Sequence, residues 1–134
     1  MLTFGLFLLG AIAIQVNAQA KIEFEKMVHD YGTIEQNGNG ACEFKFTNTG
    51  SEPLVISNAR GSCGCTVPSW PKEPIAPGES AMIKVKYDTK RLGPINKQVT
   101  ITSNGSEAPV ILRIKGKVEA GAAAPEGDAA GPRS

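Results

Sequence analysis

Ala81-Met82-Ile83-Lys84-Val85-Lys86-Tyr87 decides how this chain is read. Ala81, Ile83, Val85 and Tyr87 fall on one side of an extended segment, and Met82, Lys84 and Lys86 on the other. Successive side chains of a strand point to opposite faces, so this period of two describes a strand with one buried and one wet face. A helix would bring its apolar residues back every three or four positions. The same period recurs on both sides of this segment. Upstream, Cys42, Phe44 and Phe46 alternate with Glu43, Lys45 and Thr47, and Ile22 and Phe24 alternate with Glu23 and Glu25. Downstream, Val99 and Ile101 alternate with Thr100 and Thr102, and Val110, Leu112 and Ile114 with Ile111, Arg113 and Lys115. Leu54-Val55-Ile56 is a shorter, continuous apolar strand.

Turn chemistry separates these segments. Asn37-Gly38-Asn39-Gly40 precedes the Cys42 strand, and Asn48 to Pro53 joins it to the Leu54 strand. Ala76-Pro77-Gly78-Glu79 suits a type II turn, because Pro presets φ and Gly accepts the positive φ that follows. Asn104-Gly105-Ser106 closes the next hairpin. Strands at roughly ten-residue spacing, with no helical pattern between them, predict an all-β fold. The expected architecture is a single immunoglobulin-like antiparallel β-sandwich of about seven strands, spanning residues 21–118.

The flanks read differently. Phe4 to Ile14 is apolar and uncharged, and Val16-Asn17-Ala18 and Ala18-Gln19-Ala20 both offer small-residue cleavage sites. Residues 1–20 therefore read as a signal peptide, although Met1-Leu2-Thr3 carries no Lys or Arg. The apolar run is shorter than the roughly 20 residues that span a bilayer, so no integral membrane anchor is expected after cleavage. Residues 119–134 hold 11 Ala, Gly or Pro among 16 and lack aromatic and β-branched side chains. Such a segment buries too little apolar surface to offset its ordering entropy and reads as a disordered tail.

Charge excludes some classes of function. The chain carries 14 Lys and Arg against 13 Asp and Glu, for a net charge of +1. That balance leaves no electrostatic footprint for nucleic acid and no polybasic patch for anionic lipid. One Trp, two Tyr and five Phe are too few for a base-stacking platform. His29 is the single histidine, no Ser lies in a Gly-x-Ser-x-Gly elbow, and no catalytic set is visible. Asp30 follows His29 and could orient its imidazole; the plainer reading is a strand-end His held by local hydrogen bonds. Asp30 and Asp88 read as solvated or turn-capping acids.

Cysteine chemistry is concentrated in Gly61-Ser62-Cys63-Gly64-Cys65-Thr66. Three cysteines are an odd number for an exported chain, so one is left over unless chains pair. If the Cys42 and Leu54 strands form a hairpin, Cys42 faces roughly Arg60. A disulfide from Cys42 to Cys63 or Cys65 then becomes plausible, given Cα atoms within about 7 Å. A Cys63–Cys65 bridge closes a very small ring and would suit thiol–disulfide exchange. Reduced, the pair could bind a soft metal such as copper, but two ligands fall short of a closed zinc site. Cys42 and His29 complete a set only if the fold gathers them. Buried thiols or a single loop staple remain the structural reading. Trp70, between Pro68 and Pro71, either covers one end of the sandwich or anchors a partner.

At these residues a family resemblance emerges. His29-Asp30-Tyr31-Gly32-Thr33-Ile34, Phe44 to Gly50, Pro53-Leu54-Val55-Ile56, Ser62 to Pro68, Pro74 to Glu79, Tyr87-Asp88 and Ile114 to Val118 run in order. Together they resemble the bacterial exported domain of unknown function numbered 1573, a hydin-type immunoglobulin-like domain. The resemblance implies an immunoglobulin-like sandwich and export to the periplasm or cell surface of a bacterium; it supplies no activity. Cys63, Gly64, Cys65 and Thr66 carry its most typical run, to which Cys42 does not belong.

The expectation is an exported, non-enzymatic binding or scaffold module without a cofactor. Its partner would be another envelope protein or an exported complex. Its contact surface would be the loop from Arg60 to Pro74, with Arg60, Cys63, Cys65 and Trp70 as binding residues. The alternative is a thiol-redox or copper-handling protein that uses Cys63 and Cys65.

Overall fold

The computed structural model describes Gly5 and residues 19–121. Eight strands lie in this region. They are β1 (Ile22–Phe24), β2 (Val28–Glu35), β3 (Ala41–Asn48), β4 (Ile56–Gly61), β5 (Thr66–Ser69), β6 (Ser80–Tyr87), β7 (Gly93–Ser103) and β8 (Val110–Glu119). They form two four-stranded sheets, ordered β1-β3-β6-β5 and β2-β8-β7-β4. The protein is an all-β sandwich, as the alternation requires. No helix among the described residues is long and apolar enough to cross a membrane.

The core is built from the inward half of each alternating segment. Phe44 and Phe46 of β3 and Ile83 and Val85 of β6 face Val99 and Ile101 of β7 and Leu112 and Ile114 of β8. All of these are buried. Each such side chain contributes roughly 1.5–3 kcal/mol of burial free energy, which makes this interior the main source of stability.

The structure adds detail at three points. There are eight strands where about seven were expected, and β2 runs parallel to β8 with a register shift between Asp30 and Thr33. Gly32 causes the shift. Its φ of 65° inserts a residue out of phase, so the inward set changes from His29 and Tyr31 to Ile34. That slip hides β2 from a search for strict alternation. Second, the Cys42 and Leu54 strands form no hairpin. β3 pairs with β1 and β6, whereas β4 pairs with β7 in the other sheet. The connection is diverted by the buried Asn48 side chain. Its Nδ2 donates to the carbonyls of Glu52 (2.7 Å) and Ile75 (2.9 Å), and its Oδ1 accepts from the backbone N–H of Gly50 (3.0 Å) and Lys21 (3.3 Å). Leu54, fully buried, then bridges Ile75 through two backbone hydrogen bonds of 2.8 Å, and the chain crosses to the second sheet.

Third, contacts of the sandwich continue on both sides of residues 21–118. Ala20 is buried, and the Gln19 carbonyl accepts a hydrogen bond from the Ser51 N–H at 2.9 Å. Glu119 ends β8, and its carbonyl accepts from the Gln36 N–H at 2.7 Å. The rest of the expected signal peptide (except Gly5) and the tail beyond residue 121 lie outside the described residues.

Candidate functional site: the rim between β4 and β5

β4 is an edge of one sheet and β5 an edge of the other, and they are consecutive in the chain. The link Ser62–Cys65 therefore steps across the open side of the sandwich. It is held at both ends. The Ser62 N–H donates to the Gln98 carbonyl (2.9 Å), and the Gln98 N–H returns a bond to Ser62 Oγ (3.1 Å). The Thr66 N–H closes onto the Cys63 carbonyl (3.2 Å), and the Asp88 N–H donates to the Cys65 carbonyl (2.8 Å). Gly61 permits the corner to close, because a Cβ at that position would collide with the Thr66 carbonyl.

Within this link Cys63 and Cys65 are joined by a disulfide, with Cα atoms 5.2 Å apart. Cys65 is buried and Cys63 partly exposed. The Cys65 N–H donates to Cys63 Sγ at 3.2 Å. The Thr66 hydroxyl, itself buried, lies 3.7 Å from both sulfurs. The bridge ties no two strands together. In the chain-entropy picture, a loop of about three residues gains only about 1.6 kcal/mol, against about 3 kcal/mol for a fifteen-residue loop. The hydrogen bonds to Gln98 and Asp88 would hold the link in place without it.

Cys42 is free, which corrects the pairing of Cys42 with Cys63 or Cys65. β6 lies between β3 and β5, and Val85 pairs with Cys42 on one side and Pro68 on the other. Two strand spacings separate β3 from β5, about 10 Å, which is beyond disulfide reach. Cys42 packs instead beneath Tyr31, whose hydroxyl donates to the Gly40 carbonyl (2.7 Å) and lies 3.4 Å from Cys42 Sγ. Burial pushes the Cys42 thiol up from its ordinary range, and burial with the Cys42 contact pushes the Tyr31 phenol up further. Both groups stay protonated at neutral pH.

His29 lies partly exposed beside this cluster, with Lys26 Nζ 3.4 Å from its Nδ1, and not at the rim. Its ring stands edge-on to Tyr31, with centroids 4.6 Å apart. Desolvation first, and then the neighbouring Lys26 ammonium, lower its pKa, while Asp30 opposes them. Asp30 does not orient the imidazole; its Oδ1 accepts from the Gly32 N–H at 2.8 Å. Asp88 likewise caps its own turn through the Lys90 N–H at 3.1 Å. Among the described residues, no three His, Cys, Asp or Glu side chains gather as metal ligands. In the bridged form neither Cys63 nor Cys65 is a thiolate, so soft-metal ligation would require reduction first.

The expected Arg60 to Pro74 loop is divided by β5, and its residues separate accordingly. Arg60 and Cys63 share a cleft of about 710 Å³ whose other walls include Ser62, Thr100, Val67 and Pro68. Cys65 lies behind that wall. Trp70 lines a different, smaller cleft of about 370 Å³ with Pro71, Met82 and Lys84. Trp70 is half-buried against the core, and Lys72 Nζ sits 3.1 Å from its ring centroid. A cation over the ring face occupies the surface an anchor would offer. Thr66 and Thr100 are not among the binding residues read from the sequence. The position of Thr66 beside the Cys-Gly-Cys run could have marked it, whereas Thr100 reaches the cleft only through the pairing of β4 with β7.

The fold and rim define a small immunoglobulin-like sandwich module of the kind that presents edge strands and inter-strand links. Residues 22–118 match the family described as "Protein of unknown function (DUF1573)", and the chain belongs to that family. Among curated proteins nothing matches. A protein of unknown function from Porphyromonas gingivalis W83 is similar in structure, with a TM-score of 0.66, 16% identity and coverage of 80% of this chain and 51% of that one. The present chain thus spans about half the length of that protein. The ASH/PapD-like domain 7 of human CEP192 has a TM-score of 0.60 at 9% identity, covering 78% of this chain and 89% of that one. The CsuC–CsuE chaperone–tip adhesion subunit pre-assembly complex of Acinetobacter baumannii contains a chain with a TM-score of 0.51 at 15% identity, covering 76% of this chain and 58% of that one. At these identities the likeness is one of fold.

Proposed function

We propose that the protein is an exported binding or scaffold module, and that it engages another envelope protein at the β4–β5 rim. The observation that carries this reading is the cleft itself, bounded by edge strands of both sheets. β5 is a four-residue edge strand, and Val67 on its outer face is 60% exposed. Edge strands present backbone donors and acceptors that an added strand can pair with, and alternate pockets give such pairing its selectivity. Arg60 supplies a fork of donors beside that edge. The A. baumannii chain of similar fold comes from a chaperone–tip adhesion subunit complex, which supports a protein as the class of partner.

The test is retention of envelope proteins on the immobilised full chain, compared with Arg60→Ala and Val67→Asp. Each substitution should reduce retention of a specific partner by roughly tenfold, the effect of losing a modest anchor. Trp70→Ala, at the separate cleft, should leave retention unchanged. Retention indifferent to Arg60 and Val67 would remove the rim from consideration.

A further inference from the structure

The geometry points to a second activity at the same rim: the Cys63–Cys65 disulfide accepts two electrons from the cysteine pair of a peptide or protein, with Cys63 as the sulfur attacked. Three observations lead there. The bridge encloses a single residue and joins no two strands, so its loss leaves the sandwich pairings intact. Its two sulfurs are unequal, because Cys63 lines the open cleft while Cys65 lies buried behind it. The buried Thr66 hydroxyl stands 3.7 Å from both sulfurs, where it can donate to whichever becomes the thiolate.

The step balances. An incoming thiolate attacks Cys63 Sγ and forms a mixed disulfide. The Cys63–Cys65 bond breaks, and its electron pair leaves on Cys65 Sγ, which takes a proton from water. The second thiolate of the donor attacks its own sulfur in the mixed disulfide and expels Cys63 as a thiolate, which is then protonated. The donor leaves as a disulfide, and Cys63 and Cys65 are left as thiols. Departure of Cys65 governs the first step, since exchange rates depend on the leaving thiol. A hydroxyl directed at a buried sulfur favours that departure. Thr66 is thus a positioning residue. Cys42, two strands away beneath Tyr31, takes no part.

The test treats the oxidised full chain with reduced glutathione, stops exchange with acid, alkylates the chain after denaturation and maps the adducts. Glutathione should be found on Cys63 and the alkylating group on Cys65, with a bias of roughly tenfold or more. An oxidised peptide with the sequence of residues 61–66 should show little bias. Thr66→Val should slow mixed-disulfide formation roughly tenfold, and Thr66→Ser should restore it, as expected for a hydrogen bond to a charged sulfur. Should Thr66→Val fail to fold, Cys65→Ser provides an independent arm with oxidised glutathione in place of reduced: the free Cys63 thiolate attacks that disulfide, releases one reduced glutathione and should accumulate a stable glutathione adduct, while in Cys63→Ser the buried Cys65 should not. In turnover, a catalytic amount of the chain should accelerate oxidation of a dithiol peptide by oxidised glutathione, and Cys63→Ser should abolish the acceleration. Equal adducts on both cysteines, reduction only on unfolding, or turnover indifferent to Cys63 would each overturn the proposal.

Discussion

Asn48→Ala should be the most damaging single substitution that removes no apolar surface. The Asn48 side chain is fully buried and makes four hydrogen bonds, all to backbone groups of other residues. The Ile75 carbonyl keeps a second donor in the Leu54 N–H, so it is not orphaned. The Gly50 N–H and the Glu52 carbonyl lose their Asn48 partner, as does the Lys21 N–H across a longer 3.3 Å bond. At about 1 kcal/mol for each orphaned group, the loss comes to roughly 3 kcal/mol. That is a large share of the roughly 5–15 kcal/mol available to a domain. For about 100 ordered residues it corresponds to a fall in Tm of about 15 °C. Urea unfolding followed by the fluorescence of Trp70 and by far-ultraviolet circular dichroism measures it directly. The midpoint should fall with the m-value unchanged, since the surface exposed on unfolding is the same. Asn104→Ala is the matched control. Asn104 also bonds two backbone groups, Val55 N–H and the Pro53 carbonyl, but at an exposed position where water replaces it. It should cost about 1 kcal/mol or less. An Asn48→Ala protein within 1 kcal/mol of the parent, by the same cited scale, would refute the reasoning that this amide directs the chain between sheets.

Gly61→Ala should destabilise the protein by about 1–3 kcal/mol, because its methyl group meets the Thr66 backbone and not a yielding side chain; an unchanged urea midpoint would show that the β4–β5 corner is looser than described. Stability should fall as pH rises above about 10, the pKa of an unfolded tyrosine. Tyr31 has its folded pKa raised by burial, so above that pH the unfolded chain releases a proton that the folded chain retains. Cys42, raised in the same direction, adds to the slope from slightly lower pH. Tyr31→Phe should flatten the dependence of the urea midpoint between about pH 10 and 11, and an unaltered slope would count against a protonated buried phenol. A chain beginning at Gln19 should be more stable than one beginning at Lys21 by about 1 kcal/mol or more, because Gln19 and Ala20 are tied into the fold through Ser51 and the core. Equal urea midpoints for the two chains would contradict it.

The interior was legible in the sequence to the level of individual side chains. Phe44, Phe46, Ile83, Val85, Val99, Ile101, Leu112 and Ile114 are buried where alternation placed them, because a strand's pleat fixes the side of each residue locally. Sheet partnership is not a local property. Whether the strand after Asn48 turns back beside β3 or crosses over depends on what a buried amide meets 27 residues away, at Ile75. The hairpin reading took Asn48-Thr49-Gly50 as an ordinary turn and missed the crossing. β2 escaped because one glycine at φ 65° breaks its phase, and β5 because four residues containing Pro68 give too short a run. The candidate site was legible only where neighbours in space are neighbours in sequence. Arg60 and Cys63 meet at the cleft, while Thr100 arrives through the β4–β7 ladder and Cys42 is kept away by β6.

The topology also distinguishes the rim from the opposite side of the sandwich. Each long side of the sandwich is closed by consecutive strands that change sheets: β1 to β2 on one side, β4 to β5 on the other. Beside β1 and β2, the aromatic groups of Phe24, His29 and Tyr31 pack against Phe46, Phe44 and Tyr87. Side chains fill that seam, and a ligand would have to displace them. Beside β4 and β5, Gly61 contributes no side chain and the link turns back on itself within a disulfide, leaving a cleft in place of a packed seam. A bridge that staples so short a loop adds little to stability. Its position beside the open cleft, with Cys63 lining the cleft, Cys65 buried and the Thr66 hydroxyl 3.7 Å from each sulfur, gives an incoming thiolate access to one sulfur only, which is what the proposed exchange uses.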